Sequence, residues 1–557
     1  MPMPPGTVRI EGQIVSYDTR FQALTLCIDL HSKNADVILQ PQPTTDPNDP
    51  LNWPAWRKYL NFVLANFYVL LVFALINMVT VTWASMNLEL GFSYDILNDS
   101  YAAGCGSLCI GGIFLLPFAL KYGRRPVYIL SLAVQCGISV WSARVRNVTD
   151  LMMVNILGCF VGALCEVMIQ MTVADVFFVH QRGLMNSIYI WTLTIGSSLA
   201  PLAAGYVTTS QGWRWVWWWT AILIGVFVLL MFFLYEETKY EGLVLDGFPT
   251  TNRPSQDDFT GSTEKSSEEK SPPSKDAGSD TVEVTHREPQ LTKVEVDPNI
   301  PVKPYWKKLA LWSSSPKSIR AFVRHSYQPF LILWHIPAVL YMSLLNGAMT
   351  AAGIMPITVY SVYMTLPPYN FEPQQIGLFG LPLFIGTLVA ALICGPLSDW
   401  MILRMARSNG GVYEPEMRLW LILAFTPFVA AGLLMFGIGL EKGLPWPFVA
   451  VGLGVSSFGT APAQSLSLTY LTDAYTEIIS DSLVAVTFVK NLFPTILVFA
   501  LTPWITAVGL GNVFITASVI FVAILLGNII FIRFGKRFRA HSAEKYRLYA
   551  GHPLAAA

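Results

Sequence analysis

Long apolar runs dominate this sequence and limit the folds that it can adopt. A transmembrane helix needs about 20 consecutive, mainly apolar residues, because the hydrocarbon core of a bilayer is about 30 Å thick. Only 13% of the 557 residues are charged, whereas soluble proteins carry about 25%. The sequence therefore predicts an all-α membrane protein with twelve transmembrane helices, at residues 59–83, 100–120, 127–143, 151–174, 184–206, 215–235, 329–352, 376–398, 418–439, 446–469, 483–505 and 511–533.

A polar segment divides these twelve spans into six and six. The stretch PSQDDFTGSTEKSSEEKSPPSKDAGSD contains almost no apolar residues, so we expect disorder over about 250–298. Two pseudo-symmetric six-helix bundles with a site between them are the predicted arrangement. The predicted segments are an N-terminal tail (1–56), a first bundle (57–237), a linker (238–324), a second bundle (325–535) and a basic tail (536–557). Within the linker, Lys303–Trp312 is expected either to lie on the membrane surface or simply to lead into the seventh span.

Charges on the short loops predict the orientation, because Lys and Arg are retained on the cytosolic side. The loops after the second, fourth and eighth spans carry cations, whereas residues 84–99 and 356–375 contain no Lys or Arg. We therefore expect the tails and the linker in the cytosol, with Arg144, Arg146, Arg214 and Lys442 as exceptions to the rule. The plasma membrane is the expected location and the vacuolar membrane the alternative. Two N-x-[ST] sequons, at Asn98 and Asn147, fall on predicted outer loops and are candidates for glycosylation.

Several functional classes are not indicated. The seven cysteines lie mostly inside apolar runs without metal-ligand spacing, so we expect neither a disulfide framework nor a metal site. No loop of the G-x-x-x-x-G-K-[ST] type is present, so ATP is not the expected energy source. A membrane enzyme would be expected to show a cluster of His, Asp and Glu near one membrane face, and the sequence contains no such cluster. The first 50 residues lack the apolar core of a signal peptide, so the first span is expected to direct insertion.

Several motifs, in order and spacing, resemble the major facilitator superfamily. KYGRRPVYILS resembles the family's signature loop, G-x-x-x-D-R/K-x-G-R-R/K, and GSSLAPLAAGYV resembles its antiporter motif at Gly196, Pro201 and Gly205. DPNDPLNWP, ADVFFVHQRG, WRWVWWW, GPLSDWMILRMARSNGGVYEPEMR and FVKNLFPTILVFALTPW extend the likeness over about residues 45–540. The resemblance is to fungal drug:proton antiporters and related polyamine-type carriers. It implies alternating access, in which two bundles rock about a central site.

The resemblance implies a secondary transporter that exports a small organic molecule in exchange for protons. Proton-coupled uptake of a polyamine or amino-acid-like cation is the alternative, and a non-transporting membrane sensor is a second one. We expect the proton gradient as the energy source, with no cofactor. The expected partners are the lipid bilayer, protons and a small-molecule substrate, with no nucleic acid, and the chain is expected to be a monomer.

Glu166 is the strongest candidate for a proton or substrate site. It lies well inside the fourth span, where an ionised carboxylate is costly, and carboxylates there are often functional. A carboxylate can hold either a proton or a cation, which suits exchange between them, although a hydrogen bond between helices is the structural alternative. Asn155 stands where the family often carries an arginine, so a frequent proton-relay partner is missing. His335 could carry a proton. Further candidates for lining a cavity, or for joining helices, are Asn77, Gln170, Asn346 and Gln464.

The signature loop carries candidate gating residues. Its cations hold the loop in the cytosol, and Gly123 permits a tight turn. The resemblance implies a latch, but Leu120 occupies the position usually held by an acid. LPFALKYGRRP aligns with GPLSDWMILRM, so Asp399 is expected to supply the acid from the second half. Lys490 is expected to snorkel to the cytosolic surface in preference to pairing with Asp473 or Asp481. The remaining gating candidates are Lys121, Arg124, Arg125, Asp175, Arg182 and Arg404.

Overall fold

The computed structural model describes residues 8–9, 46–177, 179–239, 319–409, 412–475 and 478–550. The first half contains α1 (Ala55–Asn77), α2 (Trp83–Leu90), α3 (Tyr94–Tyr122), α4 (Arg124–Ser142), α5 (Val148–Gly162), α6 (Leu164–Val176), α7 (Val179–Gln211) and α8 (Trp213–Leu234). The second half contains α9 (Ile319–His335), α10 (Pro337–Tyr363), α11 (Pro373–Leu378), α12 (Gly380–Ser408), α13 (Leu419–Glu441), α14 (Trp446–Ala474), α15 (Ile479–Val508), α16 (Leu510–Leu526) and α17 (Asn528–Ala550). The predicted disordered stretch and Lys303–Trp312 lie outside the described residues.

Short elements complete this part of the chain. The 3₁₀ helices are Pro50–Asn52, Met78–Thr82 and Pro415–Arg418. Two short strands, β1 (Val8–Arg9) and β2 (Val412–Tyr413), pair antiparallel with Val8 opposite Tyr413. The N-terminal tail is thus paired with the loop that follows α12.

All twelve predicted spans coincide with helices. Ten helical segments among the described residues are long and apolar enough to cross a membrane. The two predicted spans that are not among those ten, α4 and α14, carry more polar residues on faces that are buried in the bundle. In α4, for example, the buried Gln135 donates a hydrogen bond to the carbonyl of Gly158 over 2.7 Å. Polar side chains that find partners inside the protein are tolerated at membrane depth.

The seventh span differs in detail from its prediction. The sequence pattern predicts one helix over 329–352, whereas the structure ends α9 at His335 and begins α10 at Pro337. Proline is favoured in the first turn of a helix, since it has no N–H to leave unpaired there, and it interrupts a helix that would continue through it. The apolar run of α9 therefore belongs to a separate helix that packs against α3 and α15.

Two hydrophobic cores organise the helices. The first is built from residues between Phe62 and Tyr235, and the second from residues between Ile332 and Tyr546. Val498 is an exception, because it lies on α15 but packs in the first core. The arrangement of two six-helix bundles is the one predicted from the sequence. Helix α15 of the second bundle also packs against α3 of the first.

Tight packing joins the two halves at one membrane face. We call the face that bears the turns at Gly91, Gly212, Gly443 and Gly509 the outer end, following the predicted topology, and the opposite face the inner end. Near the outer end α7 lies directly against α11 and α12, and α3 lies against α15. A Cβ atom on Gly205 would stand 2.6 Å from the Pro373 carbonyl oxygen, and one on Gly377 would stand 2.5 Å from that of Pro201. The backbones approach this closely because both positions are glycine.

Adding one methyl group at Gly205 or Gly377 is expected to disturb the outer end. Overpacking costs about 1–3 kcal/mol, so Gly205→Ala and Gly377→Ala should each lower the melting temperature and the transport rate. Thermal unfolding of the purified protein measures the first effect. Gly395→Ala is the matched control, because no atom lies within 4 Å of its Cβ position. Melting temperatures equal to that of the control would show that this contact does not limit packing.

Candidate functional site: an ion pair between the two halves

A buried ion pair connects the first half to the second. Lys490 Nζ on α15 lies 2.9 Å from Glu166 Oε1 on α6, and the Asn491 side-chain amide donates to Glu166 Oε2 over 3.3 Å. The Glu166 side chain is 3% exposed and that of Lys490 is 24% exposed. Both oxygens of the Glu166 carboxylate, which belongs to the first half, are therefore bound by consecutive residues of the second half, Lys490 and Asn491.

The partner residues explain why a carboxylate is tolerated at this depth. Glu166 lies on α6, which continues α5 with helical backbone angles at Ala163, whose N–H bonds to the Cys159 carbonyl. An unpaired charge inside a span is costly. The Lys490 ammonium group compensates the buried negative charge of Glu166.

An apolar cluster joins α3, α6 and α15 towards the inner end. Leu116 of α3, Val167 of α6 and Val484 of α15 form a buried cluster, against which Leu120 and Met171 pack. We call these five residues the inner apolar cluster. Leu120 occupies the position where the family usually carries an acid, and here it contributes to apolar contact between the halves.

The expected snorkelling of Lys490 is not what the structure shows. Its ammonium group binds Glu166 inside the protein, and Asp473 is instead paired with Arg418, with 2.7 Å between Nε and Oδ2. An uncompensated buried charge is costly, so the nearest opposite charge attracts the lysine. Glu166 and Lys490 are 324 positions apart in the sequence. Their pairing depends on the packing of α6 against α15, which the sequence alone does not show.

The uncharged candidates are distributed over both bundles. The Asn155 amide donates to Ser100 Oγ over 3.1 Å, and that of Asn346 to Ser467 Oγ over 2.5 Å. The Gln464 amide donates to Thr350 Oγ1 over 3.4 Å, and that of Asn77 to the Phe73 carbonyl of its own helix over 2.9 Å. These bonds join helices within one half or remain within one helix. Gln170 is half-buried, one turn after Glu166 on α6.

His335 does not lie inside a span. It is the last residue of α9, it is exposed, and its Nδ1 lies 2.8 Å from the Leu331 carbonyl oxygen and 2.9 Å from the Tyr549 hydroxyl. The break before Pro337 removes it from the membrane-spanning helix to which the apolar pattern assigned it. His335 therefore lies on α9, whereas the Glu166 carboxylate lies on α6.

The signature loop is fastened to the first half. Gly123 has a φ of 103°, a backbone conformation that favours glycine and confirms the tight turn. Arg125 is fully buried and donates to the carbonyls of Tyr235 and Phe232, over 2.8 and 2.6 Å, at the end of α8. Arg124 Nε lies 3.1 Å from Asp175 Oδ2 at the end of α6. The cations therefore bind helix ends in this structure, and their role as a latch stays a prediction.

Glu237 was missed by the sequence reasoning. Its carboxylate accepts hydrogen bonds from the backbone N–H groups of Arg124 and Arg125, over 2.9 and 3.1 Å, at the start of α4. A carboxylate at a helix N-terminus satisfies N–H groups that have no partner within the helix. Glu237 thus brings an acid to the signature loop, although Leu120 stands at the position where the family usually carries one. The signal in the sequence was the acidic pair Glu236–Glu237 directly after the sixth span.

The second half repeats the contact between helix ends. Asp175 is the penultimate residue of α6 and Asp473 the penultimate residue of α14, and each pairs with an arginine at the start of the preceding span in its half. A second pair, Arg539 with Glu416, joins α17 to the segment before α13 over 2.8 Å. These repeated contacts are the structural trace of the pseudo-symmetry that the sequence predicts.

The other gating candidates remain hypotheses. Asp399 is exposed on α12 and makes no ion pair with the residues that the structure describes, since Arg418 is bound to Asp473. Arg404 stacks over the ring of Trp400 at 5.4 Å, and Lys121 over that of Tyr122 at 5.3 Å. The side chain of Arg182 lies outside the described part of the chain.

The motif glycines and the sequons have distinct surroundings. A Cβ atom on Gly196 would stand 2.7 Å from the Leu70 carbonyl oxygen of α1, so this glycine, like Gly205, marks a close approach of helices. Asn98 is buried in α3 and donates to the Val498 carbonyl over 2.9 Å. Burial and that bond argue against glycosylation at Asn98, whereas Asn147 is exposed before α5 and stays a candidate.

The helices and the buried charges define a multi-pass membrane carrier built from two bundles. The chain belongs to the Major Facilitator Superfamily, whose sequence profile matches residues 62–478. Members of this family are transporters rather than enzymes, which confirms the prediction that the chain is not an enzyme.

Individual relatives cover almost the whole chain. An uncharacterized MFS-type transporter of Schizosaccharomyces pombe is 33% identical over 92% of this chain and 90% of its own length. Protein HOL1 of Saccharomyces cerevisiae is 28% identical over 93% and 92%, and efflux pump radE of Floropilus chiversii is 23% identical over 95% and 90%. Among solved structures, the xylose transporter XylE from E. coli is similar in fold, with a TM-score of 0.53 and 13% identity over 85% of this chain and 99% of XylE.

Removing one partner of the ion pair is expected to destabilise the protein unequally. Lys490→Met leaves a carboxylate that is 3% exposed without a cation, and such changes cost up to about 3–5 kcal/mol. Glu166→Gln should cost less, because the ammonium group that it leaves is 24% exposed and can reach water. The double variant should be more stable than Lys490→Met alone.

Thermal unfolding followed by size-exclusion chromatography measures these differences. Lys536→Met is the matched control, because Lys536 pairs with Glu414 at the surface, where ion pairs contribute little. Additive losses in the double variant would contradict a direct interaction between Glu166 and Lys490.

Proposed function

We propose that this protein is a proton-coupled antiporter that exports a small organic molecule from the cytosol. The observation that carries the proposal is the Glu166 carboxylate, buried between the halves and held by Lys490 of the opposite half. We assign to this ion pair the coupling of protons to substrate.

The coupling follows from the position of the pair. Alternating access requires the two bundles to move relative to each other, and α6 and α15 belong to different bundles. When that movement withdraws Lys490, the carboxylate needs another positive partner, because an unpaired charge at this depth is costly. A proton can neutralise it, and so can a cationic group of the substrate. Since one carboxylate accepts only one of them at a time, binding of one releases the other.

The chemistry of the pair favours an organic cation as the substrate. The lysine ammonium already occupies a position 2.9 Å from the carboxylate, with Asn491 as a second donor. A protonated amine of the substrate can make the same contacts that Lys490 makes. We therefore propose that substrate competes with Lys490 for Glu166, so that binding in itself loosens the contact between the halves.

Export is favoured over uptake by two features. The relative radE is named an efflux pump, and the glycines of the antiporter motif lie at close contacts of α7. Uptake of a polyamine or amino-acid-like cation is the second candidate, because a buried carboxylate binds an ammonium group in either direction of transport. The plasma membrane is the proposed location for both.

Right-side-out vesicles with an imposed pH gradient separate these two candidates. Labelled spermidine and labelled tyramine serve as probes of a linear polyamine and of an aromatic amine, each of which carries a protonated amine. With acid outside, an antiporter expels preloaded probe, whereas a symporter accumulates probe from the medium. Fluxes that do not respond to the gradient would contradict proton coupling in both.

Glu166→Gln is expected to abolish gradient-driven flux, because a neutral amide cannot exchange a proton for a cation. Counterflow of probe against probe, without a gradient, tests the second role of the residue. Loss of counterflow assigns substrate binding to Glu166, and its retention confines the residue to the proton. Asp95→Asn is the matched control, since Asp95 is an exposed carboxylate at the outer end of α3. Wild-type flux in Glu166→Gln would contradict the proposal.

A further inference from the structure

Three arginines converge on an open cavity at the outer end of the first half. The cavity has a volume of about 570 Å³ and is lined by Ala143, Arg144, Arg146, Arg214 and Trp218. We call it the arginine cavity. It lies between the turn that joins α4 to α5 and the first turns of α8. The carboxylate of Glu166 is not among the groups that line it.

The cavity carries uncompensated positive charge. Arg214 is paired with Glu89 and stacks over Trp213 at 4.4 Å. Arg144 stacks over the ring of Trp218 at 5.8 Å. Within the described residues, neither Arg144 nor Arg146 forms an ion pair with a carboxylate. Among the described residues, Glu89 is thus the one acid that forms an ion pair with any of the three arginines.

Two helix starts lie beside these cations, and the first turn of α5 also contains one acid, Asp150. The helices α5 and α8 both begin beside the cavity, at Val148 and Trp213. Helix N-termini carry partial positive charge on N–H groups without a partner in the helix. These cations also oppose the usual retention of Lys and Arg on the cytosolic side, so topology does not account for them. An anion is the ligand that this combination fits.

The surroundings of the cavity indicate where the anion comes from. Trp218 continues into an apolar face of α8 whose side chains are exposed, namely Trp215, Trp219, Ile222, Leu223 and Val226. Such a face lies against acyl chains in a bilayer. An amphiphile whose anionic group enters the arginine cavity can lay its chains along this face of α8. A soluble anion would gain nothing from it.

We propose that the arginine cavity binds the phosphate group of an anionic phospholipid in the leaflet at the outer end. Guanidinium groups suit this ligand because they donate paired hydrogen bonds to phosphate oxygens. Trp218 holds the guanidinium of Arg144 at the wall of the cavity and contacts the glycerol and upper acyl region of the lipid. The site is separate from the proposed coupling site.

Lipid retention tests this site on the full chain. The protein is reconstituted in phosphatidylcholine nanodiscs that contain a minority of phosphatidylglycerol, and the lipid that stays bound after extraction is counted by native mass spectrometry. Arg144→Gln and Arg146→Gln should each weaken retention of phosphatidylglycerol about fivefold, the effect of about one basic residue near a charged membrane surface. Trp218→Leu should weaken retention with all three charges unchanged.

A control variant, a phosphate control and melting temperatures separate a specific lipid site from the alternatives. Lys442→Gln removes an exposed cation from the outer end but outside the cavity, and it should retain phosphatidylglycerol as the wild type does. An equal loss in Lys442→Gln would indicate general charge attraction and overturn the site. Protection from thermal unfolding by inorganic phosphate alone, as strong as that by phosphatidylglycerol, would overturn the lipid as its ligand. Melting temperatures measured in phosphatidylcholine alone identify any variant whose fold is damaged.

Discussion

The ion pair between Glu166 and Lys490 connects two bundles that alternating access has to move apart. Each charge is compensated by the opposite half, so the position of α6 relative to α15 decides whether the carboxylate is satisfied. The Glu166 carboxylate is only 3% exposed, so in this arrangement water does not replace its partner and an unpaired charge is costly. In the proposed mechanism the pair links a chemical event, the binding of a proton or a cation, to a rigid-body movement, which is the property that a coupled carrier needs.

The two ends of the interface are built differently, and the difference has mechanical consequences. At the outer end the halves meet through glycines and backbone carbonyls, as at Gly205 and Gly377, which leaves few side chains that can rearrange. Towards the inner end the contacts are the ion pair and the inner apolar cluster, made of side chains that can change rotamers and solvation. Each bundle is meanwhile held rigid by its own contacts, such as Arg125 with the end of α8. The side chains that can rearrange between the bundles are thus concentrated towards the inner end.

Apolar run lengths were sufficient to predict the fold, because the bilayer imposes helices of about 20 residues wherever charge is absent. The site was predicted only in part. Glu166 was recognisable because a carboxylate inside an apolar span is rare, whereas its partner depends on a contact between helices that are distant in sequence. His335 was assigned to a span because periodicity does not show the helix break before Pro337. Glu237 was overlooked because acids after a span are usually solvated.

Leu120 shows how an apolar substitution can alter a gate rather than remove it. Where the family usually has an acid, this side chain packs within the inner apolar cluster, which joins the helices α6 and α15 that also carry the ion pair. Separating such a cluster exposes apolar area, at about 25 cal/mol per Å², and also admits water to the neighbouring carboxylate. The two effects reinforce each other, because an opened cluster gives a proton or a substrate cation access to Glu166, where either can replace Lys490. In the proposed mechanism, opening at the inner end and release of the ion pair are then one event, and this is how an apolar residue would take part in electrostatic coupling.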